Sequence, residues 1–215
     1  MPINDKYNAI FVHIPKNGGT TVEYLLGMHG ELETVGISPY INQVSNEFLF
    51  GAGSQEYTAK EIEQVIGRKK FSLFTSFCIC RNPYSRLVSY FAWAQQYRPY
   101  ATHNKLEKEK FNKLLEKMYK RYIENGFDSL YLKPQWNYAY DENKKLLVNH
   151  IFRFEEYDKV LNFVSDLIVT DINPKEKRMP SNHHAFERYL TTKNLEIINE
   201  MYAEDFELYK YSLLT

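Results

Sequence analysis

Hydrophobic and polar positions change their period several times along this chain, and each change marks an element. The run Ala9-Ile10-Phe11-Val12-His13-Ile14 is apolar at consecutive positions, the pattern of a buried strand, and predicts a first strand over residues 8–14. It breaks at Pro15-Lys16-Asn17-Gly18-Gly19-Thr20-Thr21 and resumes as a helical pattern over 20–28. Residues 31–57, rich in Gly, Ser and Asn, have no clear period and read as loop and short elements. Thr58 then caps a helix that Gly67 ends, and Phe71 to Cys80 reads as the next strand. Tyr84 to Tyr97 has helical spacing, interrupted by Pro99. An amphipathic helix follows over 105–124, with Leu106, Phe111, Leu114, Leu115, Met118 and Tyr122 as its buried stripe. Leu146 to Phe154 reads as a strand, Tyr157 to Leu167 as a helix, and Leu195 to Tyr211 as a packed terminal helix.

The strand-loop-helix unit near the start carries candidate chemistry. Paired glycines let backbone approach a ligand closely, and a helix N-terminus favours an anion. Lys16 adds a full positive charge, and Thr20 and Thr21 can cap the helix or donate hydroxyls to phosphate oxygens. A nucleotide triphosphatase loop places its lysine after the glycines, whereas here lysine comes before them. Strand-loop-helix units with buried strands predict a three-layer, P-loop-like α/β domain whose mainly parallel central sheet is flanked by helices, with ligand at the carboxyl ends of the strands. No repeat and no linker divides the chain, so a single domain over 1–215 is expected.

Composition narrows the partners. At 215 residues, with 44% hydrophobic and 25% charged positions, the chain is ordinary for a globular domain, and its zero formal net charge argues against general nucleic-acid binding. Eighteen Tyr and fourteen Phe suggest aromatic-lined surfaces as well as an aromatic core. No signal-peptide pattern opens the chain, and no apolar run reaches transmembrane length. The two cysteines, Cys78 and Cys80, share one side of a strand and read as buried free thiols. No metal is expected, since neither they nor His183-His184 have further ligands at suitable spacing. Lys105 to Arg121 carries seven basic and three acidic side chains, either a solvated helix face or an electropositive wall that attracts an anionic glycan or the donor.

His13-Ile14-Pro15-Lys16-Asn17-Gly18-Gly19-Thr20 resembles the 5′-phosphosulfate loop of sulfotransferases that use 3′-phosphoadenosine 5′-phosphosulfate (PAPS), most of all the branch containing the heparan and chondroitin enzymes. Cys80-Arg81-Asn82-Pro83-Tyr84-Ser85-Arg86-Leu87-Val88-Ser89-Tyr90 is similar to the family's 3′-phosphate motif, R-[ND]-P-x-x-R-x-x-S. Ile151-Phe152-Arg153-Phe154-Glu155 and the terminal helix resemble the family more loosely. The resemblance implies transfer of a sulfuryl group from PAPS to a hydroxyl or amine of an acceptor, with a carbohydrate expected and no metal needed. Lys16 would stabilise charge on the leaving phosphate, and Pro15, Asn17, Gly18, Gly19, Thr20 and Thr21 would hold the donor with it. Arg81, a bidentate fork, and Ser89, two turns into the following helix, are the candidates for the 3′-phosphate. Arg86 is either a further contact or a fold-stabilising cation.

The proton acceptor is less legible. Related carbohydrate enzymes often carry a His before a Thr-Ala helix start, but Glu56 stands there, in Gln55-Glu56-Tyr57-Thr58-Ala59. Glu56 is either the base or a helix-preceding residue without a catalytic role. His13 supports the core or acts directly, His29 either points into the cleft or lies on the surface, and Asn182, in the late loop with His183 and His184, is expected to approach the donor. Tyr97, Tyr100, Trp136, Tyr138 and Tyr140 either stack on sugar rings or serve as core and rim aromatics. Golgi members of the family carry a membrane anchor, so its absence here predicts a cytoplasmic, bacterial enzyme. Competing readings are a P-loop kinase-like phosphotransferase and a non-catalytic nucleotide-binding relative.

Overall fold

The computed structural model describes residues 3–28, 54–97, 105–169 and 183–215. The elements run β1 (Ile3–Asn4), β2 (Ala9–Val12), α1 (Gly19–Leu25), α2 (Ala59–Ile66), α3 (Arg68–Leu73), β3 (Thr75–Cys80), α4 (Pro83–Tyr97), α5 (Lys108–Asn125), α6 (Trp136–Ala139), β4 (His150–Arg153), α7 (Tyr157–Ile168), α8 (Thr192–Met201) and α9 (Ala203–Leu208). Two compact units divide them. One takes the chain through Cys80 and resumes at Asn137; the other takes Arg81 to Trp136 and the C-terminal elements.

The first unit holds a four-stranded sheet in the order β1-β2-β3-β4. β1 is antiparallel to β2, while β2, β3 and β4 are parallel, paired Ala9 to Thr75 and Phe77 to His150. Alternate strand residues separate into two apolar clusters, as the two-residue period of a strand requires. Ile10, Val12 and Cys78 pack with Ala59 and Ile62 of α2 and Phe71 of α3. Phe11, Phe77 and Ile79 pack with Val22 of α1 and Val160 and Val164 of α7. Cys78 and Cys80 are buried free thiols, as their spacing suggests, and burial pushes the Cys78 thiol well above its usual range.

Both strand edges are shorter than the apolar runs predict. The expected strand over 71–80 begins only at Thr75, because Gly67, at φ 81°, lets the chain end α2 and restart as α3, whose Phe71 is buried. Asn8, left-handed at φ 47°, stops β2 at its N-terminal end, and the Asn8 carbonyl accepts from Thr75 N–H at 2.8 Å. The expected strand over 146–154 is four residues long, His150–Arg153. Before it, Asn149 meets Ser76 through backbone and side chain together: its N–H donates to Ser76 O at 2.9 Å and its Oδ1 accepts from Ser76 N–H at 2.8 Å. The helix at Thr58 does start as predicted: Thr58 Oγ1 accepts from Glu61 N–H, and the Glu61 carboxylate accepts from Thr58 N–H at 2.7 Å, a reciprocal capping box.

In the second unit Asn82 and Pro83 open α4, with Asn82 Oδ1 accepting from Tyr84 N–H at 3.0 Å and Pro83 in the first helical position. Tyr84, Phe91, Phe111, Leu115, Tyr189, Ile198, Tyr202 and Phe206 form its core. The expected terminal helix is two helices, broken at Tyr202, whose φ of −122° leaves the helical region. That break lets Tyr202, Asp205 and Tyr209 all act on the segment 132–136. Tyr202 Oη donates to Leu132 O (2.8 Å), Tyr209 Oη to Gln135 O (3.1 Å), and the Asp205 carboxylate accepts from the backbone N–H of Gln135 and Trp136 (2.9 Å each).

Asp205 is fully buried, and burial pushes its carboxyl up to about 6 from 3.8, opposed by the Arg86 charge and the hydrogen bonds from Gln135 and Trp136. A raised folded-state value means that Asp205 stabilises the fold most fully below pH 3.8 and that this contribution is lost as the pH rises through 6. Asp205→Asn cannot titrate. The difference in unfolding free energy between wild type and this variant, followed by urea denaturation, is therefore expected to fall by about 2 kcal/mol between pH 4 and pH 7.

Candidate functional site

The loop that follows β2 is fastened to the first unit at three consecutive residues. Asn17, 1% exposed, donates from Nδ2 to Ile79 O of β3 at 2.6 Å. Gly18 lies at φ 80°, and its carbonyl accepts from Tyr157 Oη of α7 at 2.7 Å. A Cβ at Gly18 would stand 3.0 Å from ring atoms of both Phe154 and Tyr157. At Gly19 a Cβ would come within 2.9 Å of Phe11 Cε1 and His13 Cε1, rings from the strand directly beneath. The two glycines therefore serve the fold as well as any ligand: one supplies a left-handed turn, the other a close approach.

Lys16 sits just before these anchors at φ 71°, a left-handed conformation that few non-glycine residues adopt and that costs of order 1 kcal/mol or more. Such strain persists only where the surroundings over-determine it, and Asn17 and Gly18 do so here. Thr21 is buried and hydrogen-bonded to Tyr157, while Thr20 is half-buried. Burial pushes the Tyr157 hydroxyl up to about 12, against the Thr21 bond, so it remains a donor at neutral pH.

Below the loop lies a polar cluster that the sequence hides. His13 is 5% exposed and Glu23, on α1, is 0% exposed, with His13 Nδ1 2.8 Å from Glu23 Oε1. Gln55 Nε2 donates to Glu23 Oε2 at 3.1 Å. Glu56 follows in the same 3-10 turn, and burial raises its carboxyl, opposed by the His13 charge and reinforced by Glu23. His13 and Glu56 thus share one electrostatic neighbourhood. Glu23 looks in the sequence like any helix-surface carboxylate; its only signal is its place beside apolar Val22 and Leu25.

The Arg81 motif belongs to the second unit. Arg81 N–H donates to Gln135 Oε1 at 2.9 Å, and Gln135 Nε2 donates back to Arg81 O at 2.8 Å, so one side-chain amide clamps both backbone groups. Arg81 Nε donates to Ser85 Oγ at 2.9 Å. Ser89 is 3% exposed on α4. Arg86 donates to the carbonyls of Lys133 (3.0 Å) and Tyr131 (3.1 Å), which shows it bracing the segment next to Gln135. Neither Gln135 nor Asp205 carries a sequence signal for this role.

Among the other candidates, Tyr138 is fully buried in the core and Trp136 and Tyr140 are half-buried. His183 donates from Nδ1 to His184 O at 2.6 Å. On the basic helix α5, Arg121 pairs with Asp128, and Glu116 accepts from Lys193 at 2.6 Å. Asn182, His29, Tyr100 and the side chain of Tyr97 lie outside the described residues. Among the described residues, no group of three or more His, Cys, Asp or Glu could hold a metal ion, and no helix is long and apolar enough to cross a membrane.

Gly19→Ala tests how closely the loop is fitted to the strand. The added methyl meets two buried rings at 2.9 Å, so the variant is expected to lose about 1–3 kcal/mol in urea denaturation.

No curated protein and no solved structure matches the chain. A model of the sulfotransferase family matches residues 1–212. Since that match leaves out only the last three of 215 positions, the chain belongs to the sulfotransferase family.

Proposed function

We propose that the chain acts as one sulfotransferase domain over 1–215, transferring a sulfuryl group from PAPS to a hydroxyl of an acceptor, with a carbohydrate as the acceptor class. The observation that carries this reading is the loop: a lysine at φ 71°, before the glycines, locked by an anchored Asn17 and Gly18. A group held in a strained but fixed conformation is preorganised, and preorganised charge stabilises a transition state more than a mobile one does. In this reading Pro15, Lys16, Asn17, Gly18, Gly19, Thr20 and Thr21 hold the 5′-phosphosulfate. Lys16 stabilises the charge that grows on the oxygen between phosphorus and sulfur as the sulfur is transferred. Arg81 and Ser89, with Asn182, recognise the 3′-phosphate side of the donor. The acceptor proton goes to Glu56 or His13. Family membership supports the sulfuryl chemistry, and the two apolar clusters packed on alternate strand residues support the three-layer P-loop-like arrangement.

Calorimetric titration without magnesium separates the donors. Adenosine 3′,5′-bisphosphate is expected to bind, ADP and 5′-AMP to bind far more weakly, and Arg81→Ala to lose roughly 10–100-fold of the bisphosphate affinity. A preference for ADP would overturn the reading. Lys16→Ala keeps the β-carbon and so leaves the left-handed strain and the fold as they are, and it is expected to lower kcat at least ~100-fold; unchanged turnover of PAPS would remove Lys16 from the mechanism.

A further inference from the structure

Residues 131–135 of the second unit lie in no strand and no helix, yet side chains from distant elements hold their backbone almost residue by residue. Arg86 of α4 donates to the carbonyls of Tyr131 at 3.1 Å and Lys133 at 3.0 Å. Tyr202 donates to Leu132 O at 2.8 Å and Tyr209 to Gln135 O at 3.1 Å, while Asp205 Oδ2 accepts from Gln135 N–H at 2.9 Å. Pro134 has no N–H to satisfy. A backbone held this closely delivers the side chain it carries to one fixed place, and the side chain buried here, 0% exposed, is the amide of Gln135.

The neighbours of that amide determine which way round it stands. Gln135 Oε1 accepts from Arg81 N–H at 2.9 Å, and Nε2 donates to Arg81 O at 2.8 Å and to Asp205 Oδ2 at 3.3 Å. Turned over, the amide would set its oxygen against both the Arg81 carbonyl and the Asp205 carboxylate. Asp205 therefore fixes the orientation in which Gln135 can grip Arg81. The grip falls on the main chain of Arg81, so it would form with any residue there and does not itself call for an arginine. The Arg81 side chain is directed separately, by a bond from Nε to Ser85 Oγ at 2.9 Å, one helical turn along. With Nε engaged in this way, the fork that meets a phosphate is the pair of terminal nitrogens.

We propose that Gln135 and Asp205 are positioning residues for the donor: Asp205 orients the Gln135 amide, the amide fixes the backbone of Arg81, and the guanidinium is thereby held ready for the 3′-phosphate. This rests on the reading of Arg81 as the residue that recognises that phosphate. Neither residue touches the ligand; both act through Arg81. A bidentate contact is demanding of direction, and an arginine whose backbone is already fixed has less freedom to lose when the phosphate arrives. The two arginines of the motif thus divide the work, Arg86 bracing the segment that carries Gln135 and Arg81 receiving what that segment holds in place.

A double-mutant cycle in binding tests this, with adenosine 3′,5′-bisphosphate as the probe and calorimetry as the readout. Gln135→Met, close to glutamine in shape but without its polar groups, is expected to lose roughly 5–10-fold of the bisphosphate affinity. Combined with Arg81→Ala it is expected to bind within about threefold of Arg81→Ala alone, because the clamp has nothing left to position. ADP, which has no 3′-phosphate, is expected to compete in Gln135→Met within about threefold of its strength in wild type. Asp205→Asn offers one oxygen where three donors converge, so a smaller loss in the same direction is expected, about two- to fivefold. A Gln135→Met protein that is less stable in urea but binds the bisphosphate as wild type does gives the amide a role in the fold alone and overturns the proposal. Losses that multiply in the double variant, or an equal loss for ADP, also overturn it. Should Gln135→Met not fold, Asp205→Asn takes its place in the same cycle, and wild-type affinity there overturns the proposal. Failure of the underlying reading appears separately, as a wild type that binds no bisphosphate or an Arg81→Ala variant that binds it unchanged, and it removes the positioning role as well.

Discussion

The absence of a side chain at Gly19 is the constraint on which the first unit depends. Any β-carbon there would collide with Phe11 and His13, the residues that place the loop on the sheet. Because the loop lies this low, Asn17 reaches the Ile79 carbonyl and Gly18 reaches the Tyr157 hydroxyl. Those two bonds tie β3 and α7 to the short stretch that follows β2. They also leave Lys16, between the strand and the anchors, no relaxed conformation to occupy. Sterics thus fix the backbone, and the backbone in turn fixes where the Lys16 side chain begins.

The second unit achieves the same rigidity by a different means. No close glycine packing brings Arg81 to its place; a buried amide, Gln135, grips both of its backbone groups, and Asp205 grips Gln135. Burying a carboxylate is costly unless it is well supplied with donors, and Asp205 receives three hydrogen bonds from Gln135 and Trp136. A network satisfied this fully has few alternative arrangements, which makes it specific as well as stable.

What could be read from the sequence follows from how local each feature is. The strand-loop-helix order around Gly18 and Gly19 and the Thr58 cap with Gly67 are encoded within a few neighbouring residues and stand where expected, although the strand expected over 8–14 spans only Ala9–Val12. The beginnings of β3 and β4 were not legible, because Gly67 restarts the chain as α3 before Thr75 and Asn149 pairs with Ser76 far along the chain. The break at Tyr202 lies inside an unbroken apolar pattern and serves contacts with residues 132–136. The same difference separates the site residues. Lys16 and Arg81 stand in recognisable motifs, whereas Glu23, Gln55 and Gln135 owe their importance to partners brought up by folding, which no local pattern announces.

The long sequence separation within the second unit also orders its birth. Tyr84, inside the Arg81 motif, has its hydroxyl bonded to Asn199 and to the backbone of Leu214, and Gln135 waits on Asp205. On a ribosome the residues around Lys16 and their sheet partners emerge long before these. During synthesis the chain therefore passes through a stage in which the Lys16 loop has most of its fastenings while the Arg81 motif has not yet received those that residues 199–214 supply. A nascent chain halted at that stage would carry a nearly assembled Lys16 loop without the finished motif that follows β3, so the order of emergence itself keeps an incomplete chain from presenting both.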